Sequence, residues 1–294
     1  MLKMFTSIVL LELKLVLILA VLVKNPKIRM CNQPVTNDRS YSSHLVGTSE
    51  TTRAISFGGS KETRFNQWLA GLIDGDGSLQ VSKAGYSSCE ITVALADERM
   101  LRIIQNKLGG SIKPRSGVQA IRWRLHNRQG MLKLINRING YIRHSSRLVQ
   151  LNRVCTILNV ELLSPDTLHI KHGWFAGFFD ADGTIGYYFK GIISKDGPES
   201  FNLRVRSRED LNKVIKHFDQ YPLISKKRAD FDLFKDAFFI VKNKQHITKD
   251  DLVKIAAIKG AMNLGLSDLL KNSFPDIPLV ERPLVKYTPI RDPQ

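Results

Sequence analysis

Leu69-Ala-Gly-Leu-Ile-Asp-Gly-Asp-Gly77 decides how this chain is read, because the pattern returns as Phe175-Ala-Gly-Phe-Phe-Asp-Ala-Asp-Gly183. In each copy an apolar run stops at an Asp-x-Asp-Gly turn, which is how a helix ending in glycine looks in sequence. Phe65 and Trp68 extend the first run upstream, and Trp174 opens the second. The turns repeat at an offset of 106, from Asp76 to Asp182. Farther on, Arg124-Leu-His-Asn-Arg128 is matched by Arg204-Val-Arg-Ser-Arg208, and Arg147 by Lys227, at an offset of 80. The chain is therefore an internal duplication. Its second copy is shorter by the difference between 106 and 80, or 26 residues, about one strand-helix-strand.

Outward from the first turn, strand-like stretches fall at 78–82 and 89–95, and a helix at 98–108 ends at Gly109-Gly110. A strand follows at 120–125 and a helix at 130–138, an order of helix, two strands, helix, two strands, helix. Ser164-Pro165-Asp166 is a helix-start signal ahead of the second run. The second copy offers only two strand candidates, 184–189 and 201–206.

At the amino end, Ile8 to Val23 is apolar but interrupted by Glu12 and Lys14, short for a membrane span of about 20 residues. No small-x-small cleavage site follows it, and membrane association is not expected. Residues 31–62 are rich in Ser, Thr, Gly and Asn and read as a linker, so the globular fold is expected to need nothing before Thr63. The resulting division is an apolar leader and flexible linker at 1–62, a first repeat at 63–160, a shortened second repeat at 161–250, and a C-terminal helical segment and tail at 251–294.

Lys and Arg total 44 against 27 Asp and Glu, a net charge of +17 that attracts polyanions, nucleic acid first among them. Cys31, Cys89 and Cys155 are scattered, so neither a zinc module nor a disulfide framework is readable, and a reducing compartment fits best. A hydrophobic fraction of 43% is enough for most of the chain to fold.

Each turn follows a face of small residues, Ala70, Gly71 and Gly75 in one copy and Ala176, Gly177 and Ala181 in the other. Small residues four apart let two helix backbones approach closely. If the helices pack on each other, Asp76 and Asp182 meet where the helix dipoles already concentrate negative charge. Two carboxylates there call for divalent cations, and oxygen ligands favour Mg²⁺. Cations so placed can bind a phosphate and activate water, the logic of phosphodiester hydrolysis. A lone Asp-x-Asp-Gly is an ordinary polar turn, and only the duplication lifts it above that. A calcium loop is excluded: counting from Asp74, its required Gly and Glu positions hold Leu79 and Gly85, and from Asp180 they hold Ile185 and Gly191.

The two nonapeptides resemble the paired motifs of the LAGLIDADG homing endonucleases, with similarity over 64 to about 285. The resemblance implies an α+β fold of tandem αββαββα repeats related by pseudo-two-fold symmetry, the second shortened here. It also implies motif helices at the central interface, sheets that read the major groove, and Asp76 and Asp182 as catalytic metal ligands for Mg²⁺. Lys227 resembles the family's basic residue near the cleaved phosphate, and Arg147 is its equivalent in the first repeat. Candidate DNA-binding residues are Lys83, Arg115, Arg122, Arg124 and Arg128, with Arg204 and Arg206 in the second repeat. Alternation puts Arg122 and Arg124 on one strand face, for phosphate contact or guanine readout.

The implied protein is a monomeric, metal-dependent endonuclease of double-stranded DNA from a mitochondrial intron. An RNA-binding maturase acting on its host intron, or a non-catalytic remnant of the same fold, are the alternatives. Residues 64–183 resemble one intron-encoded subfamily, whereas His217-Phe-Asp-Gln-Tyr-Pro-Leu223 and Ala261-Met-Asn-Leu-Gly-Leu266 resemble another, in which a further motif follows. A hybrid reading frame joined between Gly186 and Phe201 accounts for both that switch and the 26-residue shortfall. Ala94, Leu95 and Ala96, where relatives often carry polar groups, offer little chemistry.

Overall fold

The computed structural model describes residues 13–21, 62–166, 172–189, 201–205, 207–243, 248–262 and 265–285. The first repeat begins with helix α1 (Thr63–Asp76), whose apolar run buries Phe65, Trp68, Leu69, Leu72 and Ile73. Strands β2 (Gly77–Val81) and β3 (Ser87–Ala94) follow, then helix α2 (Glu98–Leu108) and strands β4 (Ser111–Pro114) and β5 (Ala120–Leu125). Helices α3 (Arg128–Ile138) and α4 (Ser145–Leu158) complete the repeat. The four strands form an antiparallel sheet in the order β2-β3-β5-β4. Period-two alternation sorts its faces: Leu79, Cys89, Ile91, Ile121, Trp123 and Leu125 are buried beneath, while Arg124 above is exposed. Asn127 starts α3 as an N-cap, its side chain accepting from the Gly130 N–H.

The second repeat begins with helix α5 (Trp174–Asp182) and strand β6 (Gly183–Phe189), and strand β7 (Phe201–Val205) follows. Residues 164–166 of the helix-start signal are irregular, those just after them lie outside the described residues, and Asp166 pairs with Arg143 and His172. Helices α6 (Arg208–Gln220), α7 (Lys227–Lys242), α8 (Lys249–Ala261) and α9 (Asp268–Ser273) complete the described chain. Phe175, Phe179 and Phe218 pack ring to ring, with Phe175 stacked on Phe218 at 5.4 Å and Phe179 at 4.9 Å from it.

The amino end departs from its reading as a dispensable leader. Leu13–Val21 forms strand β1, inserted antiparallel between β6 and β7 in a sheet of order β6-β1-β7. Its register repeats that of β3 pair for pair. Glu90 stands opposite Ser78 and Arg124, and Ile18 opposite Thr184 and Arg204. Cys89 faces Leu79 and Leu125, and Leu17 faces Ile185 and Val205. β1 therefore occupies the place of β3, and β7 that of β5. Against the expectation that the fold needs nothing before Thr63, β1 is the strand that joins β6 to β7. Among the described residues nothing fills the places of α2 and β4 in this half, so the shortening is partly repaired. No helix of the described residues is long and apolar enough to cross a membrane.

Candidate nuclease site at the helix interface

Helices α1 and α5 meet more closely than side chains normally allow. A Cβ placed on Gly71 would lie 2.0 Å from the Trp174 carbonyl oxygen, and one on Gly177 would lie 1.8 Å from the Trp68 carbonyl oxygen. Position 75 is equally crowded, since a Cβ there would sit 2.3 Å from the Ala181 Cβ and 3.1 Å from an Asp182 carboxylate oxygen. The small faces thus do what their spacing suggests, and the two acidic turns are brought side by side.

The contact is reciprocal. Trp68 Nε1 donates to Asp180 at 2.9 Å, and Trp174 Nε1 donates to Asp74 at 2.7 Å, each tryptophan reaching the first aspartate of the other motif. Asp74 also accepts from the Arg143 backbone N–H at 2.8 Å, and Asp180 from the Ser225 N–H at 3.0 Å and its hydroxyl at 2.6 Å. Burial raises the proton affinity of both carboxyls, and these donors oppose it. Asp74 and Asp180 are structural pins that pair each motif helix with the other and with the turn ahead of α4 or α7. Their motif positions were legible in the sequence, but the crossed partnership was not.

Asp76 and Asp182 are the second aspartates of the motifs and are less buried. Burial and the neighbouring Asp182 charge push the Asp76 carboxyl up to about 6, against the pull of Lys227 and Arg147. Burial raises Asp182 too, again opposed by Lys227 and Arg147. Lys227, at the start of α7, donates from Nζ to the carbonyls of Phe179 at 3.1 Å and Asp180 at 2.8 Å, and to that of Ala181. Arg147, in the first turn of α4, donates to Ile73 O at 3.2 Å and Gly75 O at 3.3 Å. Each cation therefore caps the carbonyl end of one motif helix, the placement that the helix dipole favours. Burial lowers the Lys227 ammonium pKa, while Asp180, Asp76 and Asp182 hold it up.

The pattern gave no sign of Asp97. It ends the short 3-10 turn Leu95–Asp97, its charge reaches Asp76, and it accepts from the Lys226 N–H at 2.6 Å, so the first repeat helps place the lysine turn of the second. The apolar triplet Ala94-Leu95-Ala96 thus leads directly into an acidic neighbour of the site.

Two partly buried carboxylates with raised proton affinity, at two negative helix ends and with only oxygen donors, fit a hard divalent cation. Among the described residues no third His, Cys, Asp or Glu completes a metal cluster. Mg²⁺ usually keeps waters and substrate phosphate oxygens in its remaining positions.

The basic residues divide by position. Arg122 and Arg124 share the outer face of β5, both paired with Glu90, at 3.2 and 3.1 Å. With Ser111, Lys113 and His126 they line a concavity of about 250 Å³. Lys83 and Arg115 are exposed in the turns after β2 and β4, and Arg128 is exposed at the start of α3, off the sheet. Arg204 stands on β7 opposite Ile18, and Arg206 lies outside the described residues. Cys89 and Cys155 are buried and free.

A family model described as LAGLIDADG endonuclease matches residues 69–158 and 184–238. Among curated proteins, the chain is 43% identical over 252 residues to an intron-encoded RNA maturase of Saccharomyces cerevisiae, covering 73% of this chain and 38% of that protein. It is 48% identical over 197 residues to a probable intron-encoded endonuclease of Debaryomyces hansenii, covering 59% of this chain and 30% of the other. The chain thus spans only 30% to 38% of the length of these relatives. Among solved structures, the meganuclease I-AabMI bound to uncleaved DNA superposes with a TM-score of 0.51 at 20% identity, covering 68% of this chain and 99% of that one. I-LtrWI, bound to target DNA, gives 0.51 at 19% identity over 69% and 98%. At those identities the likeness is one of fold.

Proposed function

The chain belongs to the LAGLIDADG family, and from that premise we propose that it is a site-specific endonuclease hydrolysing phosphodiester bonds in a long double-stranded DNA target. The observation that carries this reading is the pair Asp76 and Asp182 at the adjoining carboxyl ends of two interlocked helices, each end capped by a cation. Held between these carboxylates, Mg²⁺ would supply Lewis acidity toward the scissile phosphate and a lowered pKa for an attacking water. The chain's own residues do the rest. Asp76 and Asp182 bind the cation, Arg147 and Lys227 offset the negative helix ends facing the phosphate, and the basic face of β5 positions the duplex. The intron-encoded names of the relatives support an origin in an intron, a mitochondrial one by the family resemblance, and one chain carrying both motifs supports a monomer.

Asp76→Asn and Asp182→Asn should each abolish double-strand cleavage in Mg²⁺ while leaving DNA binding intact or tighter, since each removes a negative charge facing phosphate. Normal cutting by both variants would sink the proposal. A second reading, an RNA maturase, is favoured by the name of the Saccharomyces cerevisiae relative. It predicts specific binding of the host intron RNA that survives both substitutions.

A further inference from the structure

Among the described residues beyond α9, Arg282 makes a group of polar contacts beside the proposed site. Arg282 is about one-third exposed and donates from Nη1 to Asp230 Oδ1 at 2.7 Å and to Ala261 O at 3.1 Å. Its other nitrogen, Nη2, donates to Lys226 O at 3.3 Å. One planar guanidinium thus joins the first turn of α7, the last residue of α8 and the peptide immediately before Lys227. A lysine would not reproduce this arrangement, because its three donors sit on one nitrogen whereas these bonds leave from two arms of a rigid fork. The preceding peptide group is held as well, its Lys226 N–H donating to Asp97. Ser225, just before it, is bound to Asp180. Lys227, whose Nζ sits on the carbonyl end of α5, therefore follows two residues fastened by three separate parts of the chain.

We infer that Arg282 is a positioning residue for Lys227, so that the C-terminal segment is part of the cleavage apparatus and not a passive tail. The inference rests on the endonuclease reading only for its effect on cleavage; the clamp itself does not. The asymmetry of the fold explains the need for it. Arg147, the equivalent of Lys227, stands in the third position of α4, inside a formed helical turn. Lys227 is the first residue of α7, where fewer intrahelical bonds fix the backbone.

Amine acetylation of the full chain, read by mass spectrometry, tests the clamp without DNA. Lys227, with its Nζ on three carbonyls, should react far more slowly than the exposed Lys213 and Lys254. Arg282→Ala should raise Lys227 labelling several-fold and leave those two unchanged, while the buried thiol of Cys89 stays unreactive and reports an intact fold. Should Cys89 become reactive in that variant, Arg282→Lys, which retains a charge for Asp230, decides the matter by the same measurement. Unchanged Lys227 protection in a folded variant overturns the inference. On a cleavable target, Arg282→Ala should slow single-turnover cutting by about tenfold or more with DNA affinity little altered. The loss should vanish in a Lys227→Ala background, whereas additive losses would show that Arg282 acts elsewhere. If the wild-type chain cuts no DNA, the endonuclease reading fails while the labelling result stands.

Discussion

Asp76 carries the site's most distinctive electrostatics. Its carboxyl is pushed up to about 6 from an ordinary value of 3.8, chiefly by burial and next by Asp182. A group that binds its proton more tightly when folded favours the folded state below the unfolded pKa, and that advantage is lost as pH rises through the folded one. The metal-free protein should therefore lose stability between pH 4 and 6 on account of this group, by something on the order of 1–2 kcal/mol given its partial exposure. Asp76→Asn should melt higher than wild type at pH 8, with the gap closing near pH 4. Mg²⁺ should raise the wild-type melting temperature at pH 8 and do so much less in the variant. Thermal melts across pH with and without Mg²⁺ check both points, and a wild-type midpoint insensitive to Mg²⁺ at pH 8 would argue against cation binding.

At the scale of elements, the α1 and α5 interface depends on bare backbone. Gly177→Ala would put a methyl group 1.8 Å from a carbonyl that cannot move without shifting α1, so the cost should reach about 3 kcal/mol or more. The same substitution at Gly85, where no atom lies within 4 Å of a built Cβ, pays only for its positive φ of 80° and should cost far less. Chemical denaturation of the two variants compares them directly; equal losses would mean the helices separate easily. Strand β1 makes a second prediction. Deleting residues 1–25 removes both of its ladders and leaves β6 and β7 without their shared neighbour. Hydrogen exchange in the truncated chain should lose protection at β6 and β7 while β3 and β5 keep theirs. Undiminished protection at β6 would show that another segment pairs with it.

For the whole molecule, the two sheets are unequal in a way that bears on recognition. The first has four strands, with Arg122, Arg124 and Lys113 over its outer face. Among the described residues the second has three, and at the register place of Glu90 between two polar partners it carries Ile18 between Thr184 and Arg204. Fewer polar groups mean fewer bidentate base contacts, each worth about 1–3 kcal/mol of discrimination. Base changes under the first repeat should therefore weaken binding clearly, and those under the second only slightly. Affinity should still fall steeply with salt, because the +17 charge acts on phosphates of any sequence. Binding across a library of single-base substitutions at fixed ionic strength tests this, and equal sensitivity in both halves would refute it.

The sequence alone determined the duplicated motif, the close-packed small faces, the placement of Asp76 and Asp182, and the equivalence of Arg147 and Lys227. All of these depend on side-chain identity at short spacing or on a constant offset, which a single chain displays openly. The two strands of the shortened repeat were legible for the same reason. Tertiary structure alone decided that Leu13–Val21 enters the second sheet, since strands pair through backbone N–H and C=O groups common to every residue, and an apolar run serves a membrane, a leader or a sheet equally well. It alone crossed Trp68 with Asp180 and Trp174 with Asp74, brought Asp97 to Lys226, and carried Arg282 to the turn before Lys227. Those partners lie between 56 and 129 residues apart. No local pattern encodes such distances; the folded chain sets them when buried polar groups must find hydrogen-bond partners.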